Sequence, residues 1–137
     1  MTGLKPTLIV AAAIVDSLTA PRVVLSARRR APAELAGRWE LPGGKVESGE
    51  TTTQALKREL QEELAVDAKI GALHTVLWHD YPDDRVILAV HETSFSTKNL
   101  ATNAHDRFCF ATAEQALQLK LLPADITLFQ VLAAKSR

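Results

Sequence analysis

Gly43-Gly44-Lys45-Val46-Glu47-Ser48-Gly49-Glu50 runs on into a segment that ends Arg58-Glu59-Leu60-Gln61-Glu62-Glu63. A glycine loop feeds a polar helix start, and the helix carries three carboxylates within five residues. Positions i, i+3 and i+4 of a helix share one face, so Glu59, Glu62 and Glu63 converge. Like charges placed together repel unless a cation sits among them. Hard divalent ions such as Mg²⁺ suit such a group, because they prefer carboxylate oxygens and leave room for substrate phosphates. The plainer reading is a solvated acidic face. Arg58, eight residues after Glu50, is placed to brace the loop by an ion pair.

Outward from this stretch, Thr51 to Leu64 is rich in helix formers, with Ala55, Leu56 and Leu60 on an apolar face opposite most of the glutamates. Upstream, Trp39-Glu40-Leu41-Pro42 reads as a short strand entering the loop. Trp39 suits either a core or a base pocket. Thr7 to Val15 is a β-rich apolar run, suited to a strand covered on both faces. Arg22 to Arg28 reads as its hairpin partner across a long turn. Arg28-Arg29-Arg30 then forms either a wet loop or a grip on phosphates, since guanidinium forks match phosphate oxygens.

Downstream, Lys69 to Trp78 and Arg85 to Phe95 are strands joined by a turn over 79–84. Ser96 to Asp106 is a polar loop, and Arg107 to Ala111 a last strand. Thr112-Ala113-Glu114-Gln115 has capping-box form and starts a helix to about Leu119. Pro123 opens an amphipathic helix to about Lys135, with Ile126, Leu128, Phe129, Val131 and Leu132 available for burial. The pattern alone gives an α/β or α+β fold, a mixed sheet between helices.

Gly44, Glu50, Arg58-Glu59-Leu60, Glu62-Glu63 and Val66 together follow the spacing of the Nudix signature, and the chain resembles the Nudix hydrolases. One motif position departs: the family has glycine where this chain has Ala65. A left-handed turn there costs an alanine roughly 1 kcal/mol. Within the family the likeness is to MutT-type nucleoside triphosphate pyrophosphohydrolases, from about Thr7 to Ala133. Glu34 to Val46 and Leu122-Pro123-Ala124-Asp125-Ile126 resemble the CTP-cleaving branch. The resemblance implies a Nudix α/β/α sandwich with a mixed β-sheet. It also implies metal-dependent cleavage of a nucleoside triphosphate to the monophosphate and pyrophosphate.

By the same resemblance Glu59, Glu62, Glu63 and the Gly43 carbonyl hold metal, Mg²⁺ first and Mn²⁺ as the alternative. Arg58 joins the three glutamates in the catalytic set. Arg29 maps onto the phosphate-contacting arginine, and Gly44 and Lys45 are candidate substrate-binding residues. Trp39 and Leu41 are candidates to sandwich the base, and Asp83, in the Tyr81-Pro82-Asp83 turn, and Asp125 stand at base-recognition positions. A carboxylate at Asp125 suits an amino group such as cytosine N4, or the N–H edge of guanine or 8-oxoguanine. Its plainer role is an acidic residue at a helix N-terminus. A glutamate that MutT-type enzymes often carry before the last strand is replaced here by Ala104, with Asp106 two residues on. His105 beside them titrates near neutrality or is simply a loop histidine.

At 137 residues the chain suits one domain, residues 1–137, burying about two thirds of its unfolded surface. Sixteen basic and sixteen acidic residues cancel, so no global field calls for nucleic acid or a membrane surface. The single cysteine, Cys109, excludes an internal disulfide and suits a reducing cytoplasm; its apolar neighbours point to packing. The apolar run Leu8 to Val15 is too short to span a bilayer, and no secretory leader is expected. The expected partner is a nucleoside triphosphate, taken by a monomer or homodimer. Competing readings are a hydrolase of dinucleoside polyphosphates or nucleotide sugars, and a noncatalytic nucleotide sensor.

Overall fold

The computed structural model of the protein describes residues 6–14, 24–29, 37–95, 105–121 and 123–135. β1 (Thr7–Ile14) is the axis of the molecule. It pairs parallel with β6 (Asp84–Ser94) on one side and antiparallel with β4 (Gly43–Lys45) on the other. β5 (Lys69–Tyr81) closes the mixed sheet in the order β4-β1-β6-β5. A smaller antiparallel sheet, β3-β2-β7, joins Trp39–Glu40, Val24–Arg29 and His105–Ala111.

The middle of β1, Val10, Ala11, Ala12 and Ala13, is buried on both faces, while Leu8 near its start is exposed. Val10 and Ala12 face one core, shared with Ala55, Leu56, Leu60 and Leu64 of α1 (Thr52–Leu64). Ala11 and Ala13 face the other, shared with Leu88, Val90, Leu128 and Phe129. Leu128 and Phe129 come from α3 (Pro123–Lys135), so the sheet lies between α1 and α3. Alternating strand residues thus feed two separate cores, which explains an unbroken apolar sequence. The expected α/β sandwich with a mixed sheet is what forms.

Several expectations change. β1 and β2 are not a hairpin: β4 and β6 already occupy both edges of β1, and β2 pairs with β3 and β7 instead. β5 and β6 run on to Tyr81 and Asp84, leaving a turn of Pro82 and Asp83 alone. An Arg85–Asp80 ion pair at 2.6 Å lies beside that turn, and the Thr7 hydroxyl donates to Asp84 at 2.9 Å. α2 is only Ala113–Ala116, although Thr112 and Gln115 make the expected reciprocal cap. Ile126 is exposed rather than buried, because Asp125, Leu128 and Phe129 form the inward stripe of α3.

α1 starts at an extended Thr51, whose hydroxyl accepts from the Gln54 N–H while the Gln54 side chain accepts from the Thr51 N–H. It ends at Ala65, which adopts the left-handed conformation (φ 54°, ψ 38°) and donates its N–H to Gln61. The alanine keeps the left-handed turn and accepts its strain.

Candidate active site

β4 brings the glycine loop against α1. A Cβ at Gly44 would lie 2.5 and 2.6 Å from the two Glu59 carboxylate oxygens, so only glycine lets Glu59 approach this backbone. At Gly43 a Cβ would run into Val10 and Ala11 of β1, so this glycine is needed for strand pairing.

Arg58 gathers the acidic residues. Its guanidinium reaches Glu50 at 2.8 Å, Glu59 at 2.9 Å, Glu62 at 3.4 Å and Glu47 at 3.8 Å. It also donates to the Lys45 carbonyl at 3.1 Å, which ties α1 to the end of β4. Glu50 in turn accepts from the Glu47 N–H and closes the loop as a tight turn. Hydrogen bonds from Arg58 and from the Glu47 backbone hold the Glu50 carboxyl down at about 2, well below its ordinary value. The brace read from the spacing of Glu50 and Arg58 is therefore present, and two-pronged.

One guanidinium serves four carboxylates, and Glu63 follows on the same helix, so the surplus charge at this end is negative. Oxygen donors of this kind and number match a divalent cation. As placed, the side chains turn towards Arg58; among the described residues no three acidic or histidine groups already form a coordination shell.

A cleft of about 210 Å³ opens beside the loop. Ile9, Leu41, Val86 and Leu88 give it apolar walls, and Gly43, Gly44 and Lys45 form the side nearest α1. Asp125 also lines it, only 7% exposed, and accepts the Leu41 N–H at 3.2 Å. Burial, with a smaller push from the Glu40 charge, raises the Asp125 carboxyl to about 8. At neutral pH it is mostly protonated, a donor as well as an acceptor.

Of the residues singled out from sequence, Leu41, Gly43, Gly44, Lys45 and Asp125 meet in the cleft, and Arg58, Glu59 and Glu62 meet beside it. Trp39 packs against the core that contains Leu121 and Leu128, its backbone N–H donating to the Lys120 carbonyl. Asp83 is exposed at the hairpin tip, while its neighbour Tyr81 reaches the cleft. Arg29, His105, Asp106 and Cys109 have described strand backbones but not side chains; Arg30 and Ala104 lie outside the described residues. Reading the sequence missed Glu47 and the Leu41–Asp125 bond. The first had a local signal in its three-residue spacing to Glu50. The second joins residues 84 apart and had none.

Helices on both faces of a mixed sheet, with an acidic helix and a glycine-walled cleft meeting at Gly44, define an α/β protein whose site lies at the end of β4. The chain belongs to the Nudix family: the NUDIX domain matches residues 6–132. Hydrolases of this family generally use divalent metal cations. The chain is 36% identical over 124 residues to the CTP pyrophosphohydrolase of Escherichia coli, covering 81% of this chain and 82% of that protein. It is 44% identical over 66 residues to the 8-oxo-dGTP diphosphatase of Proteus vulgaris, covering 48% of this chain and 59% of that one. The solution structure of the E. coli ORF135 protein superposes with a TM-score of 0.81 at 34% identity, over 96% of this chain and 91% of that one.

Proposed function

We propose that the protein, as a single Nudix domain, cleaves (d)CTP-like or 8-oxo-dGTP-like nucleoside triphosphates to the monophosphate and pyrophosphate with Mg²⁺. The observation that carries this reading is Gly44, which is a wall of the cleft and the contact point for Glu59. A base seated between apolar walls at the Asp125 end would then extend its phosphates past Lys45 towards the carboxylates of α1.

In this reading Glu59, Glu62 and Glu63 hold the cation, with the Gly43 carbonyl as a further oxygen. Bound there, a divalent ion supplies charge neutralisation and a water of lowered pKa. Lys45, exposed at the cleft, offers a cation to the phosphates, and Arg29 is assigned as a second on the family resemblance. Arg58 keeps loop and helix in register through Glu50 and the Lys45 carbonyl. Asp125, mostly protonated, presents an acceptor and a donor to the base edge while Leu41 N–H fixes its orientation. The products follow from attack of water on a phosphoric anhydride, with pyrophosphate leaving.

The relatives' names support both bases, one a CTP pyrophosphohydrolase and one an 8-oxo-dGTP diphosphatase. A pyrophosphate-release screen with canonical, oxidised and methylated triphosphates tests the proposal. Mg²⁺-dependent release from a cytosine or oxidised guanine nucleotide, lost in Glu62→Gln, is the expected result. Turnover of dinucleoside polyphosphates or nucleotide sugars alone would overturn it, as would tight nucleotide binding with no release.

A further inference from the structure

His91 of β6 lies in the core beneath α1 and is only 5% exposed. In register it stands beside Ala12 of β1 and Leu73 of β5, and the small Ala12 leaves room for the ring. Both ring nitrogens are engaged: Nδ1 is 2.9 Å from the Gly71 carbonyl and Nε2 is 2.8 Å from the Thr52 hydroxyl. A carbonyl can only accept, so Nδ1 carries the proton in the neutral ring and Nε2 accepts from Thr52. Gly71 lies where the β5–β6 register slips, between Ile70 and Leu73. Such irregularities release a carbonyl from the ladder and re-aim it. Thr52 is the first residue of α1.

The imidazole therefore links β6, β5 and the start of the helix that carries Arg58, Glu59, Glu62 and Glu63. Apolar contacts under α1 set Leu56, Leu60 and Leu64 of the helix against small residues of β1, Val10 and Ala12. Contacts of that kind set the separation of helix and sheet but are not directional. A hydrogen bond with fixed geometry at the first turn sets rotation as well. Rotation matters here, because it sets how closely the Glu59 carboxylate approaches the Gly44 backbone.

We propose that His91, acting through Thr52, is a positioning residue that fixes how α1 presents its carboxylates to the glycine loop. On the reading above, in which those carboxylates hold the metal used in turnover, it acts without touching substrate or cation. The test uses the full chain with Thr52→Val, which keeps the shape of Thr52 and removes its O–H, and Thr52→Ser, which retains it. Mn²⁺ affinity, read by electron paramagnetic resonance without nucleotide, falls about fivefold in Thr52→Val and returns to within about twofold in Thr52→Ser. Pyrophosphate release shows kcat down about tenfold with KM for the nucleotide nearly unchanged. Mn²⁺ affinity unaltered in Thr52→Val, even with a lowered melting temperature, would reduce the bond to packing and overturn the proposal. Equal losses in both variants would overturn it too. A wild-type protein silent on every triphosphate would instead sink the proposed function, and the Mn²⁺ contrast would still decide the role of His91.

Discussion

Glu50 and Asp125 are both carboxylic acids close to the glycine loop, and the fold drives them in opposite directions. Beside α1, Arg58 grips Glu50 with two hydrogen bonds and holds it ionised, at about 2. Within the cleft, burial and the charge of Glu40 push Asp125 up to about 8. Pairing favours the charged form and desolvation the neutral one, so two ends of one site differ in charge while using the same functional group. An ionised, oxygen-rich end suits a cation and phosphates. A neutral, mostly apolar end suits a base.

The largest effect expected from breaking this contrast is at the ionised end. Glu62→Gln removes one carboxylate charge from the cluster and is expected to lower kcat by about 10³-fold, measured as Mg²⁺-dependent pyrophosphate release. Next, Arg58→Lys retains a cation but not the forked geometry that spans Glu50, Glu59 and the Lys45 carbonyl. A loss of about 10²-fold in kcat is expected, because a lysine cannot satisfy these partners together. Near-normal turnover would show that charge alone suffices.

At the neutral end, Asp125→Asn keeps an acceptor for Leu41 N–H but fixes the donor and removes titration. It is expected to shift the ratio of kcat/KM between cytosine and oxidised guanine triphosphates by about tenfold. Stability should also change with pH. The Asp125 carboxyl ionises near 4 in the unfolded chain and near 8 in the folded one. The folded state therefore binds more protons across that window, and stability falls as pH rises through it. Glu50 has the reverse sign: its contribution is present above about 4.5 and is lost as pH falls towards about 2. Thermal melts from pH 5 to pH 8 should show wild type losing a few degrees relative to Asp125→Asn. Parallel melting curves would contradict the raised carboxyl.

Smallest is Ala65→Gly, outside both ends. Glycine adopts the left-handed turn without a Cβ penalty, so a gain of about 1 kcal/mol, or roughly 3 °C in Tm, is expected with kcat unchanged. No gain would mean that the entropy glycine loses on folding offsets the relieved strain.

The acidic helix and its brace were legible because they lie within one continuous stretch, where helix spacing fixes which side chains meet. α3 was legible for the same reason, down to its first and last residues. The glycines before the acidic helix read as a loop, yet Gly43–Lys45 forms strand β4, because the edge of β1 is free to pair with it. Strand partners were harder. β1 and β2 follow one another along the chain yet belong to different sheets, since hydrogen-bonding edges are allotted by the whole fold. Trp39 illustrates a further limit: an aromatic beside the loop suits a base pocket or a core equally, and its packing against the core around Leu121 depends on residues far along the chain.

Local, periodic features are written in the chain: the glutamate face of α1, the cap at Thr112 and the apolar strand. Tertiary structure alone decided which distant groups share an environment. Leu41 with Asp125 and Thr52 with His91 are joined across 84 and 39 residues. Charge state follows from that environment, because desolvation and pairing depend on neighbours in space, and chain order does not encode them.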